Sequence, residues 1–170
     1  MCMKGLSIKT ADLDDVDSIY HIQASCYESP YLEQVESFFS KIAKTANSCW
    51  IAHLNGQTVA YLICLPVNAH TFPALNATIF ELCHSPTLLY LHDLAVHPDS
   101  RSFGAGQQLI KQAISYAKQQ QLQNIGLIAV QGSTAYWQKQ GFEISCATSH
   151  GIAQKLKSFG SDAVFMLHQL

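Results

Sequence analysis

Charged residues are scarce in this chain of 170 residues. Asp, Glu, Lys and Arg make up 13% of it, against about 25% in typical soluble domains. The formal net charge is −2, and no basic stripe of the kind that nucleic-acid binding needs is present. We therefore expect no nucleic acid as a direct ligand. A surface so poor in charge can bury area in a homodimer.

Long apolar runs and paired cysteines are also missing. No apolar stretch precedes the acidic residues at 12–15, and the longest apolar run, about 59–67, is far shorter than the ~20 residues of a membrane-spanning helix. The six cysteines form no CxxC pair, and the histidines show no helical ligand spacing. These absences predict free thiols, no metal site, no membrane partner, and one cytoplasmic domain over residues 1–170.

Strand and helix patterns alternate along the chain. Alternation and apolar runs predict strands over Leu6 to Thr10, Cys49 to Leu54, Gln57 to Leu65, Leu88 to Val96, Asn124 to Val130, and a closing antiparallel pair, Phe142 to Ala147 and Ala163 to Leu170, joined by a polar loop. Asn55-Gly56 between apolar runs indicates a tight hairpin. The segment from Pro66 to Pro86 is irregular: it either lines a site or is a simple insertion.

Helices are predicted at four places. One begins after Asp12 and carries Val16, Ile19 and Tyr20 inward; others run from about Leu32, over Gly104 to Gln120, and over Ser133 to Gln140. In the second helix, the residues at core spacing are Val35, Phe38, Phe39, Ile42, Ala43 and Ala46.

A glycine-rich loop joins the central strand to the longest helix. It reads Arg101-Ser-Phe-Gly104-Ala-Gly106, and its two glycines let the backbone N–H groups of a helix N-terminus come close to an anion such as phosphate. No Lys-Ser/Thr follows, as a P-loop needs, and no third glycine completes a dinucleotide fingerprint.

This loop, after a strand that ends in Leu94-Ala-Val-His-Pro, resembles the acetyl-CoA signature of the GCN5-related N-acetyltransferase (GNAT) superfamily. Ala135 to Phe142 is similar to the family's Phe-Tyr-x-x-x-Gly-Phe element, and Leu91 to His97 is similar to the arylalkylamine N-acetyltransferase branch. The resemblance covers about Cys49 to Phe142. It implies an α/β (α+β) GNAT fold, with a mixed sheet of about six or seven strands, helices on both faces and a splayed central pair of parallel strands.

The resemblance also implies acetyl-CoA as cosubstrate, with no metal. The splayed strand would leave backbone groups free for the pantetheine, and the loop would hold the pyrophosphate. The residues implied for cofactor binding are Leu94, Ala95, Val96, Arg101, Ser102, Phe103, Gly104, Ala105, Gly106, Gln107, Ser133 and Trp137.

Three residues are candidates for proton transfer. His92 is the first, because an imidazole accepts a proton near neutral pH and the arylalkylamine branch has a histidine there. That branch's second histidine, like a common catalytic glutamate of the family, falls on Tyr90. The family's thiolate-protonating tyrosine falls on Trp137, which is not an acid, so Tyr136, Ser133 or water would protonate the thiolate. A buried structural histidine is the alternative for His92, and Asp93 is expected on the opposite face of the strand, in a structural role.

Aromatic and acidic residues before and within the second helix are candidates for holding a cationic amine, above all Tyr31 and Glu33. Solvated helix charges are the alternative. The leading functional hypothesis is acetyl transfer to a small primary amine by direct attack on the thioester. A non-catalytic acyl-CoA-binding module and a protein or peptide N-acetyltransferase are the other two.

Overall fold

A seven-stranded mixed sheet forms the centre of the structure, a computed structural model that describes residues 5–45, 47–146 and 149–170. The strands are β1 (Leu6–Thr10), β2 (Cys49–Leu54), β3 (Gln57–Val67), β4 (Leu88–Val96), β5 (Asn124–Ala129), β6 (Glu143–Ile144) and β7 (Val164–Gln169). Their order in the sheet is β1-β2-β3-β4-β5-β7-β6. The helices are α1 (Val16–Cys26), α2 (Val35–Lys44), α3 (Ala105–Gln119), α4 (Thr134–Lys139) and α5 (His150–Ser158).

One pair of neighbouring strands is parallel, and it separates part-way along its length. Strands β4 and β5 pair from Leu88 and Asn124 to Leu91 and Leu127. Strand β4 then continues to Val96 without β5, while β5 goes on pairing with β7. The other pairings are antiparallel. The predicted mixed sheet with a splayed parallel pair is confirmed.

The two faces of the sheet carry separate apolar cores. Helices α1 and α2 and part of α5 pack on one face, through residues such as Ile19, Phe38 and Ile152. Helix α3 packs on the other face through Leu109, Ile110 and Ala113, as its spacing predicts. The residues of the candidate site lie where this layered structure opens between β4 and β5.

Helix α2 is turned relative to the prediction. Phe39 is 42% exposed and Ala43 is exposed, whereas Ser37 and Lys41 are buried beside Phe38 and Ile42. The apolar stripe was therefore wrong for Phe39 and Ala43, because hydrogen bonds and an ion pair let polar residues occupy the inner face. Ala46 lies outside the described residues. Tyr20, also predicted to face inward, is 36% exposed.

The end of the chain differs from the prediction in two ways. The polar loop contains helix α5, whose first turn is capped by Ser149 Oγ accepting from the Ile152 N–H at 3.3 Å. Strand β6 is only two residues long, and β7 lies between it and β5. The predicted end of β6 at Ala147 lies outside the described residues. The closing strands are antiparallel, as predicted.

Candidate functional site

A β-bulge in β4 places the extra residue at His92. Ile63 pairs with Asp93 and the next residue, Cys64, pairs with Leu91, so His92 has no partner on β3. A bulge breaks the alternation of side chains along a strand. His92 and Asp93 consequently both contact the layer formed by α1, α2 and their sheet face, through Glu33 and Tyr61 respectively. The expectation that Asp93 points to the face opposite His92 was wrong.

A cavity of about 650 Å³ opens where β4 leaves β5. Its wall combines the end of α1, the bulge and the end of β4, the start of α3, the end of β5, α4 and several connecting segments. The lining residues are Cys26, Tyr27, Tyr31, Glu33, Leu75, Leu91, His92, Asp93, Leu94, Ala95, Val96, Arg101, Gly104, Gly106, Gln107, Leu127, Ile128, Val130, Gln131, Ser133, Tyr136, Trp137, Gln140 and Phe159. Leu75 belongs to the irregular segment, which therefore contributes to the cavity wall.

The end of β4 presents backbone groups to this cavity. The N–H of His97 donates to the Val59 carbonyl on β3 at 2.8 Å, and backbone direction alternates along a strand, so Leu94 and Val96 turn their N–H and C=O groups away from β3. Their carbonyls accept from the side chains of Tyr27, at 2.8 Å, and Cys26, at 3.2 Å. Ala95, in contrast, faces β3 with its backbone.

The glycine-rich loop begins α3 as its sequence indicates. A short 3-10 helix, Pro98–Phe103, ends at Gly104, whose φ of 72° lies in the left-handed region that favours glycine. The first backbone bond of the helix runs from the Gln108 N–H to the Gly104 carbonyl at 3.1 Å. The preceding N–H groups therefore have no partner within the helix and can bind an anion.

The predicted loop residues divide between the cavity and the surface. Arg101, Gly104, Gly106 and Gln107 line the cavity. Ser102 and Phe103 are exposed, and Ala105, the first residue of α3, is buried. None of these three lines the cavity. A β-carbon on Gly106 would lie 3.3 Å from both Tyr136 Oη and Val96 Cγ2, so this glycine permits close approach of the helix to β4 and α4.

Two carboxyl groups of the cavity wall have opposite electrostatics. Burial raises the pKa of Asp93 to about 6, although Tyr61 donates to its Oδ2 at 2.5 Å and favours the anion. Burial acts in the same direction on Glu33, but His92, Lys41 and Ser37 outweigh it and hold the pKa of Glu33 well below its usual range. Glu33 is therefore ionised at neutral pH, whereas Asp93 titrates close to it.

Glu33 is only 2% exposed and lies at the centre of a buried polar network. Its Oε1 is 2.7 Å from His92 Nε2, and its Oε2 is 3.1 Å from the ammonium of the fully buried Lys41. Ser37 Oγ and the Asn76 N–H both donate to Oε2 at 2.8 Å. Among the described residues, the other His92 nitrogen, Nδ1, is buried with no hydrogen-bond partner.

The remaining predicted catalytic residues lie at different depths. Tyr90 is 1% exposed, packs against Phe72 and does not line the cavity. Tyr136 lines it, and burial raises the pKa of its phenol, which keeps the hydroxyl protonated as a donor. Trp137 lines the cavity as well, and its ring centroid lies 5.4 Å from that of Phe142. We leave Tyr90 out of the proposed catalytic set because of this placement.

Tyr31 joins two segments of the cavity wall. Its hydroxyl donates to the Phe159 carbonyl at 3.2 Å, which ties the connection between α1 and α2 to the end of α5. Both residues line the cavity. This hydrogen bond therefore links two segments of the cavity wall.

Sequence reasoning missed Lys41 and the pairing of Glu33 with His92. One signal was available: Glu33, Ser37 and Lys41 recur every four residues, which places them along one face of a helix. Solvated helix charges, the alternative considered for Glu33, do not describe a residue that is 2% exposed.

The chain was compared with known families, curated proteins and solved structures. The sequence profile described as "Acetyltransferase (GNAT) family" matches residues 16–142. The chain belongs to the GNAT acetyltransferase family. No curated protein matches it significantly.

Three solved structures illustrate how widely the fold of this GNAT chain is shared. Ard1 from Thermoplasma volcanium is 16% identical, with 98% of each chain covered and a TM-score of 0.73. The loading GNATL domain of CurA from Lyngbya majuscula is 10% identical over 96% of this chain and 97% of that one, with a TM-score of 0.76. Arabidopsis thaliana Naa50, in complex with the bisubstrate analogue CoA-Ac-MVNAL, is 15% identical over 98% of this chain and 99% of that one, with a TM-score of 0.68.

Membrane-spanning helices and clusters of metal-ligating side chains are both absent from the described part of the GNAT chain. No helix in it is both long and apolar enough to cross a bilayer. No group of three or more His, Cys, Asp or Glu side chains in these ranges is arranged to hold a metal ion.

Proposed function

We propose that this GNAT chain is an acetyl-CoA-dependent N-acetyltransferase that acts on the primary amine of a small molecule. One observation carries the proposal: a single cavity joins the N-terminus of α3 to the bulge that bears His92 and Asp93. The N-terminus of α3, which can bind an anion, and the bulge, which can transfer protons, thus line the same cavity.

The first end suits CoA. The free N–H groups at the start of α3, with Arg101 beside them, would bind the pyrophosphate. The backbone N–H groups of Leu94 and Val96 would pair with the pantetheine, because they face the gap that β5 leaves. The same fold in Naa50 holds a CoA-based bisubstrate analogue, which supports this placement.

The second end suits an amine. Above a pH of about 6 the ionised Asp93 attracts the acceptor's ammonium group, with the Tyr27 ring beside it. His92 takes the proton that the ammonium must lose before its nitrogen can attack the thioester carbon. Tyr136, which stays protonated, donates a hydrogen bond to the departing thiolate near the start of α3, and the thiolate takes the second proton that the nitrogen loses as the amide forms. Acetyl-CoA supplies the activated acyl group, and the residues supply position and proton transfer.

The wall around Tyr31 supports a small acceptor rather than a protein terminus. The Tyr31–Phe159 hydrogen bond joins two connections that flank the cavity, so an extended peptide would have to break it to pass between them.

The cytoplasm as location and a homodimer as assembly remain predictions from the sequence.

The test is release of free thiol from acetyl-CoA against arylalkylamines, polyamines, aminoglycosides, amino acids and short peptides. We expect release with one class of small amine, and at least a tenfold loss of kcat/KM in Asp93→Asn. Faster turnover of peptides would replace the small-amine acceptor, and tight acetyl-CoA binding without turnover on the whole panel would favour the binding module.

A matched pair of glycine variants tests the CoA site separately. Gly104→Val should abolish acetyl-CoA binding in isothermal titration, because a branched side chain would distort the left-handed N-cap. Gly56→Val, at φ 84° in the β2–β3 hairpin, carries a similar backbone strain far from the cavity and should bind normally. Normal binding by Gly104→Val would contradict the assignment.

A further inference from the structure

Three buried side chains form a continuous line from α2 to the bulge. The Lys41 ammonium is 3.1 Å from Glu33 Oε2, and Glu33 Oε1 is 2.7 Å from His92 Nε2. The side chains of all three are at most 2% exposed, so water does not screen their charges.

We propose that Glu33 and Lys41 are positioning residues that hold His92 as the neutral tautomer with its proton on Nε2, which makes Nδ1 the basic nitrogen of the site. This inference rests on the proposed function, in which His92 accepts the proton of the amine. It assigns that role to one atom and adds two residues that do not touch the substrate.

The tautomer follows from the chemistry of Glu33. An ionised carboxylate only accepts hydrogen bonds, and Glu33 is ionised at neutral pH because the Lys41 ammonium, the Ser37 hydroxyl and the Asn76 N–H all donate to its Oε2. At 2.7 Å, His92 Nε2 must therefore be the donor. In the neutral ring the lone pair then lies on Nδ1, the buried atom that has no partner among the described residues.

Lys41 balances the charge of Glu33. Without a cation beside it, Glu33 would attract a second proton to His92 and so occupy the base before substrate arrives. The other titratable groups around His92 are Asp93 and Tyr90 on β4, Tyr61 on β3 and Tyr27 after α1. Of these only Asp93 becomes negative near neutral pH, and it adds to the demand for a nearby cation.

Proton transfer from the amine to His92 breaks one bond and forms one. The N–H bond of the bound ammonium breaks, the proton forms a bond to Nδ1, and the electron pair stays on the amine nitrogen for attack. The imidazolium that results is stabilised by the Glu33 carboxylate, which stays ionised. After acetyl transfer, water in the cavity removes the proton from Nδ1.

Nitrogen-15 NMR of the histidine rings in the free protein tests the tautomer without any substrate. The His92 resonances are assigned by their loss in His92→Gln. We expect a protonated Nε2 and an unprotonated Nδ1 at neutral pH. A proton on Nδ1 with none on Nε2 would overturn the proposal, whereas the expected tautomer in a protein with no turnover would contradict only the proposed function.

Two substitutions should move the pH midpoint of the His92 titration in opposite directions. Glu33→Gln removes the anion and should lower the midpoint by about one pH unit, and Lys41→Met removes the cation and should raise it by about one. The acidic limb of kcat/KM against pH should shift with Lys41→Met in the same sense. Glu36→Gln, an exposed acid on α2, is the matched control and should shift nothing.

A purely structural role would not produce opposite shifts. Lys41→Met leaves Glu33 buried without its ammonium, so circular dichroism must first show that the variant folds. If it does not, Glu33→Gln combined with Lys41→Met, which has no buried charge at either position, replaces it and should titrate at a higher pH than Glu33→Gln alone, because the uncompensated ammonium is gone. No shift, or shifts of the same sign, would overturn the role of Lys41.

Discussion

At the scale of single residues, the site depends on what surrounds each buried acid. Glu33 accepts hydrogen bonds from Ser37 and Asn76 and touches two cationic or protonatable side chains, so its anion is stabilised. Burial and the nearby negative charge of Glu33 raise the pKa of Asp93, and together they outweigh the hydrogen bond from Tyr61, which favours the anion. In the proposed mechanism, these two carboxyls of one wall have different roles: Glu33 is a fixed anion that orients His92, and Asp93 is a titrating group that attracts the acceptor.

The hydroxyl of Tyr31 gives the first prediction. Tyr31→Phe keeps the ring but removes the 3.2 Å bond to the Phe159 carbonyl, which loosens the wall between two connections. We expect KM for the best small amine to rise about threefold to tenfold with little change in kcat, since one hydrogen bond contributes about 1 kcal/mol. Peptide amines should improve relative to small ones.

Steady-state kinetics on the amine panel measure this change. Tyr20→Phe removes a hydroxyl from an exposed tyrosine on α1 and should leave all constants unaltered. Unchanged KM values and peptide rates in Tyr31→Phe would mean that the bridge does not shape the acceptor end.

At the scale of elements, the separation of β4 from β5 predicts a pattern of amide exchange. The N–H groups of Leu94 and Val96 face the gap, whereas the N–H of Ala95 faces β3. In the free protein the first two should exchange with solvent much faster than Ala95. Acetyl-CoA should slow the exchange of these two amides at least tenfold, because its pantetheine would accept hydrogen bonds from them in place of the missing strand.

Amide hydrogen exchange followed by NMR gives the three rates. A nucleotide fragment of CoA that lacks pantetheine is the control: it should occupy the α3 end and leave Leu94 and Val96 unprotected. Slow exchange of all three amides before ligand is added would show that this part of β4 does not present free backbone groups.

The same element scale separates what periodicity predicts from what it does not. Strand β4, the glycine-rich loop and α3 were predictable, because an apolar strand, two glycines and a helical stripe are local signals. The bulge at His92 was not, since it inserts a residue without any marker such as glycine. The buried face of helix α2 was predicted wrongly for a related reason. That face contains Lys41, which a hydrophobic pattern places on the exposed side.

Long-range partners explain the remaining differences. Glu33 and His92 are far apart in the chain, and only the folded layers bring Oε1 and Nε2 to 2.7 Å. The sequence predicts a loop in place of helix α5, because Gly151 and polar residues outnumber the apolar ones there. Its burial of Ile152 depends on the sheet face beneath it.

At the scale of the whole molecule, the buried carboxyl group of Asp93 should lower the free energy of unfolding at neutral pH. The pKa of Asp93 is raised from 3.8 to about 6 in the folded state. A carboxyl with a raised pKa stabilises the fold fully below its unfolded value, and this contribution is lost as pH rises through the folded value. At about 1.4 kcal/mol for each pH unit, the loss between pH 4 and pH 8 is up to about 3 kcal/mol.

Asp93→Asn should recover that loss while reducing activity. The amide keeps an oxygen that can accept from Tyr61 but carries no charge to bury. We expect the variant and the parent to unfold with nearly equal free energies at pH 4, and the variant to exceed the parent by up to about 3 kcal/mol at pH 8. Urea unfolding at both pH values measures the difference.

Asp99→Asn, at a side chain that is 91% exposed, is the control and should change neither free energy. A variant less stable than the parent at pH 8 would mean that Tyr61 and His92 stabilise the Asp93 anion more than burial penalises it. The expected outcome, greater stability with weaker catalysis, would show that the molecule retains a costly buried charge at the position where a cationic acceptor would neutralise it.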